Sequence, residues 1–171
     1  KINILEDFKE RKKNLLRKEN IFFLLLISTI FFIDRSSKIE IINNYNENIY
    51  YINSFINLNL IWNIGVGFGL LSTESSIYYN LVTTLIGAFI LILFYINAAS
   101  EKIDKLIFSL IIGGALGNFY DRLIYKAVPD FIDLHLNNFH WFTFNVADIF
   151  ISVGIIAFIF RGFSVKNIKN E

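Results

Sequence analysis

The 171-residue chain is 54% hydrophobic and 17% aromatic but only 18% charged, with a mean hydropathy of +0.50. Soluble domains carry about 25% charged residues, and a chain this short buries too little of its surface to hide such an apolar excess from water. A water-soluble globular domain is excluded. The lack of cysteine removes disulfides, thiol nucleophiles and thiolate-held metals, and the single proline argues against a linker-rich or disordered chain.

In chain order, a basic segment over 1–20 holds Lys1, Lys9, Arg11, Lys12, Lys13, Arg17 and Lys18. A first apolar span over 21–39 follows, running into Asp34-Arg35-Ser36-Ser37-Lys38. No small-x-small cleavage site follows its densest part, so it reads as an uncleaved anchor and not as a signal peptide. Three further spans lie at 77–97, 103–123 and 144–163. Each has about 20 residues, which at about 1.5 Å per residue crosses a hydrocarbon core of about 30 Å. Helices are expected because lipid cannot satisfy open backbone groups. The expected fold is a mainly α membrane protein: a four-transmembrane-helix bundle with a small extracytoplasmic β-element, forming one domain over 1–171.

Orientation follows the lysines and arginines. The N-terminal segment, the turn with Lys102 and Lys105, and the tail with Arg161, Lys166 and Lys169 place 12 of the 16 basic residues on one side. Both termini are therefore expected in the cytoplasm. Outer connections then span 40–76 and 126–143. The first reads as short strands at 40–44, 49–55 and 58–61, punctuated by Asn and Gly. Its aromatic and branched residues suit a sheet at the membrane interface, where Trp62 and Trp141 read as anchors.

The informative residues are polar ones at the outer ends of these spans, where ionisable groups are costly and mark function by default. They are Asp34, Lys38, Asn118, Asp121, Arg122, Asp130, Asp133, Asn145 and Asp148. Gly114, Asn118 and Arg122 recur at four-residue steps and share one helix face. Gly113 and Gly117 form a small-xxx-small pair that admits a close neighbour. Asn145 and Asp148 share a face at a helix start, where a carboxylate suits the dipole. Pro129 is expected to break the chain just before Asp130. A short loop then brings Asp130 and Asp148 together. Two adjacent carboxylates share a proton, so one activates water while the other polarises a carbonyl.

Simpler readings compete. Asp34 and Lys38 read as a supporting pair at a helix end, Asp121 as an interfacial charge or a partner behind the site, and Asp133 as a solvated residue. His135 and His140 lack a third ligand and read as solvated loop histidines, so no metal is expected. Gly65, Gly67 and Gly69 do not fit a phosphate loop; their alternation marks backbone passing close to another group. On the residues alone, the acids leave catalysis, ion conduction and helix pairing open. A transporter is disfavoured by the absence of inverted repeats, and a purely structural subunit leaves the paired acids unexplained.

Five blocks in order carry a resemblance. Asp34-Arg35-Ser36-Ser37-Lys38 resembles a D-x-x-x-K element, and Asn63-Ile64-Gly65-Val66-Gly67-Phe68 an N-x-G-x-x-F element. Residues 113–122 resemble G-G-A-x-G-N-x-x-D-R, Val128-Pro129-Asp130-Phe131 resembles V-V-D-F, and Phe144-Asn145-Val146-Ala147-Asp148 resembles F-N-x-A-D. These are elements of lipoprotein signal peptidase, the type II signal peptidase of bacteria. The match covers about residues 30–155.

The resemblance implies an intramembrane aspartic endopeptidase of the bacterial cytoplasmic membrane, with its active site toward the outer face. It would cut prolipoproteins just before a diacylglyceryl-modified cysteine, with Asp130 and Asp148 as the catalytic pair. Asn63, Gly65, Gly114, Asn118, Arg122, Asn145 and Ala147 match site-shaping positions, and Asp34 and Lys38 a supporting pair. No cofactor and no nucleic acid are implied. The expected partners are lipid-modified precursors and membrane lipids, acting on a monomer, and globomycin-type antibiotics are expected between the aspartates. Departures fall at Val66 and Gly67 in place of small alanines, at Pro129 in place of valine, and at Phe142 where a proline often stands.

Overall fold

The computed structural model describes residues 18–45, 48–65, 76–137 and 139–168. Val66, Gly67 and Gly69 lie outside them, as do the basic residues before Lys18. Four helices and four strands follow in the order α1 (Lys18–Asn44), β1 (Tyr50–Asn53), β2 (Ile56–Asn63), α2 (Ser76–Ala99), α3 (Lys102–Tyr125), β3 (Val128–Leu136), β4 (Phe139–Phe144) and α4 (Val146–Ile168). All four helices are long and apolar enough to cross a membrane. The chain is a four-helix membrane protein with a small antiparallel sheet.

Helix α3 packs against α1, α2 and α4. Ile27 of α1, Leu93 of α2 and Ile107, Ile111 and Ile112 of α3 form the buried apolar cluster. Elsewhere Leu85, Phe89, Leu91, Ile156 and Phe160 are exposed, as expected of side chains that meet lipid. Three glycines of α3 divide the work of close approach. A Cβ at Gly113 would fall 2.8 Å from the Ile30 side chain, and one at Gly117 would collide with the Asp34 carboxylate, so both glycines admit α1. Gly114 admits α4 instead, where a Cβ would sit 2.5 Å from the Ala147 carbonyl oxygen.

The sheet runs β1-β2-β3-β4, every neighbour antiparallel. Residues 40–44, expected as a strand, instead complete α1: no Gly or Pro interrupts the helix, Ile41 is buried, and the Tyr45 N–H donates to the Ile41 carbonyl. The connection 126–143 is mostly strand. Pro129 does not break a helix. Helix α3 stops earlier, at Lys126, which takes the left-handed conformation (φ 54, ψ 25), and Pro129 sits within β3 opposite Trp62. Proline is tolerated there because β4 ends at Phe144, opposite Ile132, so Pro129 has a strand neighbour on one side only. Asn137, with φ 53, turns β3 back into β4.

Candidate active site

The sheet delivers Asp130 and the start of α4 delivers Asp148. Asn145 and Asp148 close a reciprocal pair at the head of α4. The Asn145 N–H donates to Asp148 Oδ2 at 3.2 Å, and the Asp148 N–H donates to Asn145 Oδ1 at 3.1 Å. This is a capping box, which satisfies N–H groups otherwise orphaned at a helix start. With its oxygen so engaged, Asn145 turns its amide N–H to Asp130 Oδ1 at 2.6 Å. One side chain thus joins both aspartates.

Each of the four carboxylate oxygens accepts one N–H. Asn63 Nδ2 donates to Asp130 Oδ2 at 2.8 Å, and Asn118 Nδ2 donates to Asp148 Oδ1 at 2.8 Å. Asn63 is itself fixed, because its Oδ1 accepts the Gly65 N–H at 2.8 Å. Arg122 anchors this corner to α3, donating to the Gly65 carbonyl and the Asn118 carbonyl, both at 3.1 Å. Burial first, and the charge of Asp148 second, push the Asp130 carboxyl up to about 6, against the pull of the Asn63 and Asn145 amides and the Lys38 charge.

Behind Asp148 lies a buried ionic cluster. Lys38 Nζ donates to Asp34 Oδ2 at 2.8 Å, Asn118 Oδ1 at 2.8 Å and Asp121 Oδ2 at 2.7 Å. The other oxygen of Asp34 accepts the Ala147 N–H at 2.9 Å, fixing the backbone beside Asp148. Ala147 itself is fully buried. Asp34 and Lys38 thus lie on α1 behind Asp148, bonded to Asn118 and to the backbone at Ala147.

Three sequence expectations are corrected. Asp121 is no exposed interfacial charge: it is fully buried and paired with Arg35 as well as Lys38. Asp133 is not solvated; it is 2% exposed, accepting from His140 Nδ1 at 2.7 Å and Asn57 Nδ2 at 3.4 Å. His135 and His140 are strand residues with stacked rings 5.4 Å apart, and His135 is buried. Arg35 is the residue sequence reasoning missed. Its presence in the D-x-x-x-K block was the available signal, but nothing linear tied it to Asp121. Among the described residues, no cluster of three or more His, Cys, Asp or Glu is arranged to hold a metal.

No acidic residue separates Glu19 from Asp34 on α1, or Asp104 from Asp121 on α3. Asp34, Asp121, Asp130 and Asp148 thus gather at the sheet end of the bundle, and no file of acids runs across the described helices, the arrangement that would have favoured transport.

The family model for Signal peptidase (SPase) II matches residues 26–164. The chain belongs to this family. It is 45% identical over 151 residues to the lipoprotein signal peptidase of Pelagibacter ubique (strain HTCC1062), covering 86% of this chain and 91% of that one. To the lipoprotein signal peptidase of Francisella tularensis subsp. novicida (strain U112) it is 41% identical over 157 residues, 85% and 93% of the two chains. A solved structure described as a bacterial membrane enzyme, determined by the in meso method at 2.3 Å resolution, superposes with a TM-score of 0.72 at 25% identity. It covers 88% of this chain and 91% of its own. A second such structure, at 1.9 Å resolution, gives a TM-score of 0.66 at 25% identity. As a signal peptidase II family member with four apolar helices, the chain is a multi-pass membrane peptidase.

Proposed function

We propose that the chain is an aspartic endopeptidase that removes the signal peptide from bacterial prolipoproteins, cutting just before the diacylglyceryl-modified cysteine. Asp130 and Asp148 are its catalytic pair. The observation that carries this reading is the joining of the two carboxylates by Asn145, with every carboxylate oxygen oriented by one N–H.

A water held between the carboxylates attacks the scissile carbonyl carbon. Asp148, set at the start of α4 where the helix dipole favours an anion, takes the water's proton. Asp130, which holds a proton more readily than an exposed carboxylate, gives its proton to the carbonyl oxygen. The tetrahedral intermediate then collapses: the C–N bond breaks, the leaving nitrogen takes the proton from Asp148, and Asp130 recovers one from the re-forming carbonyl. The pair returns to its starting state and titrates as a unit.

Both termini lie in the cytoplasm in this reading, and the sheet end faces outward from the inner membrane. The diacylglyceryl chains stay in the outer leaflet, each buried methylene adding about 0.8 kcal/mol to the anchoring of the substrate in the membrane beside the site. The enzyme acts as a monomer. Purified protein given a lipidated and an unlipidated precursor tests the reading. Cleavage of the lipidated form alone, lost in Asp130→Asn and Asp148→Asn, is expected. Equal cleavage of both precursors removes the lipid from recognition, and turnover by either variant removes the two-aspartate mechanism.

A further inference from the structure

We propose that Arg35 is a positioning residue for Asp148, acting through Asp121, Lys38 and Asn118. The inference rests on Asp148 being catalytic.

Arg35 is buried on α1, and its guanidinium pairs with Asp121 Oδ1. The same group lies over the ring of Tyr120, 4.9 Å from its centroid, and over that of Tyr125 at 5.8 Å. The second oxygen of Asp121 accepts from Lys38. An ammonium has three N–H bonds, and Lys38 places all of them: on Asp121, on Asp34 and on Asn118. Because the Asn118 oxygen is held by Lys38, its NH2 is left to face Asp148. A continuous run of hydrogen bonds thus leads from Arg35 to Asp148.

Charge balance makes Arg35 necessary to that run. Asp34 and Asp121 are matched by Lys38 and Arg35, all four buried. Without Arg35, one ammonium faces two buried carboxylates, and an uncompensated buried charge is costly. Asp121 then draws Lys38 more strongly. Of the three acceptors, Asn118 is the only neutral one and makes the weakest bond to an ammonium, so it is released first. Its amide loses the restraint that selects donation to Asp148. Arg35 itself bonds to Asp121 and not to either paired aspartate, so the loss is expected on the chemical step and not on binding.

The test uses the full chain with a lipidated precursor, measuring kcat, KM and the thermal midpoint. Arg35→Gln is expected to lower kcat about tenfold, the worth of one charge-assisted hydrogen bond, with KM within about twofold. Arg35→Lys, which keeps the cation, should hold kcat within about threefold. The double variant Arg35→Gln/Asp121→Asn removes one charge of each sign and should also recover kcat to within about threefold of the wild type. A merely structural arginine gives another pattern: the midpoint falls, and the double variant is no better than the single. That result overturns the proposal, as does unchanged kcat in folded Arg35→Gln. Should Arg35→Gln not accumulate, the two charge-balanced variants carry the test, and about tenfold loss in the double refutes it. Cleavage by Asp148→Asn would instead overturn the catalytic reading beneath.

Discussion

Gly114 of α3 meets Ala147 of α4 backbone to backbone, with room for a hydrogen and none for a methyl group. Ala147 cannot retreat, because its N–H is held by Asp34 and its neighbour is Asp148. Gly114→Ala is therefore expected to destabilise the fold by about 1–3 kcal/mol, as overpacking does, and to lower kcat by shifting Asp148. Gly162→Ala is the control: nothing lies within 4 Å of a Cβ there, and alanine is the better helix former. Thermal midpoints and turnover of both variants decide it, and equal effects at the two sites would count against the packing argument.

Asp130→Asn and Asp148→Asn should each reduce cleavage to background, since an amide neither accepts the water's proton nor shares one. Both should still insert in the membrane, because a neutral amide in place of either carboxyl adds no charge to the pair. Precursor processing in cells, normalised to the amount of enzyme in the membrane, is the measurement.

The raised proton affinity of Asp130 has a consequence for stability. The folded group titrates at about 6 against an ordinary 3.8, so the folded chain binds this proton more tightly than the unfolded one. Its contribution is fully present below about pH 4 and is lost as pH rises through about 6, a total of about 3 kcal/mol. Asp130→Asn removes that dependence. Its amide also meets the donors of Asn63 and Asn145, a cost that does not change with pH. The variant's stability relative to wild type should therefore improve between pH 4 and pH 8 by up to about 3 kcal/mol. Chemical unfolding in detergent at the two pH values reads the difference; no change would sink the argument.

Asp133 is buried like the paired aspartates but engaged within the sheet. Asp133→Asn should keep kcat within about threefold, since no bond links it to Asp130 or Asp148. It should lower stability by about 1–3 kcal/mol through loss of a charged acceptor for His140 and Asn57. A large fall in kcat without loss of stability would show that Asp133 belongs to the site.

What the sequence made legible followed from local rules. Span length and hydropathy give α1 to α4, and four-residue spacing places Gly114, Asn118 and Arg122 on one face. The small-xxx-small pair at Gly113 and Gly117 does admit a helix, but only the packed fold shows that α1 takes this pair while α4 takes Gly114. The strand content of 128–144 was hidden because Pro129 and two histidines resemble loop residues. Their strand character comes from pairing with β2, distant in the chain. Asp121, Asp133 and Arg35 were misjudged or missed for one reason: burial of a charge is decided by a partner on another element, and the linear spacing of Arg35 and Asp121 carries no trace of it.

The capping of α4 by Asp34, through the Ala147 N–H, ties the first membrane helix to the last. Asp148 and Asn145 are the final polar groups of the site to be synthesised, and Asp34 and Lys38 the first. During synthesis the strands β2 and β3, made before α4, hold Asn63 and Asp130 but not their counterparts. On the proposed reading, a nascent chain lacking α4 contains one aspartate of the pair, and cleavage awaits the docking of the last helix.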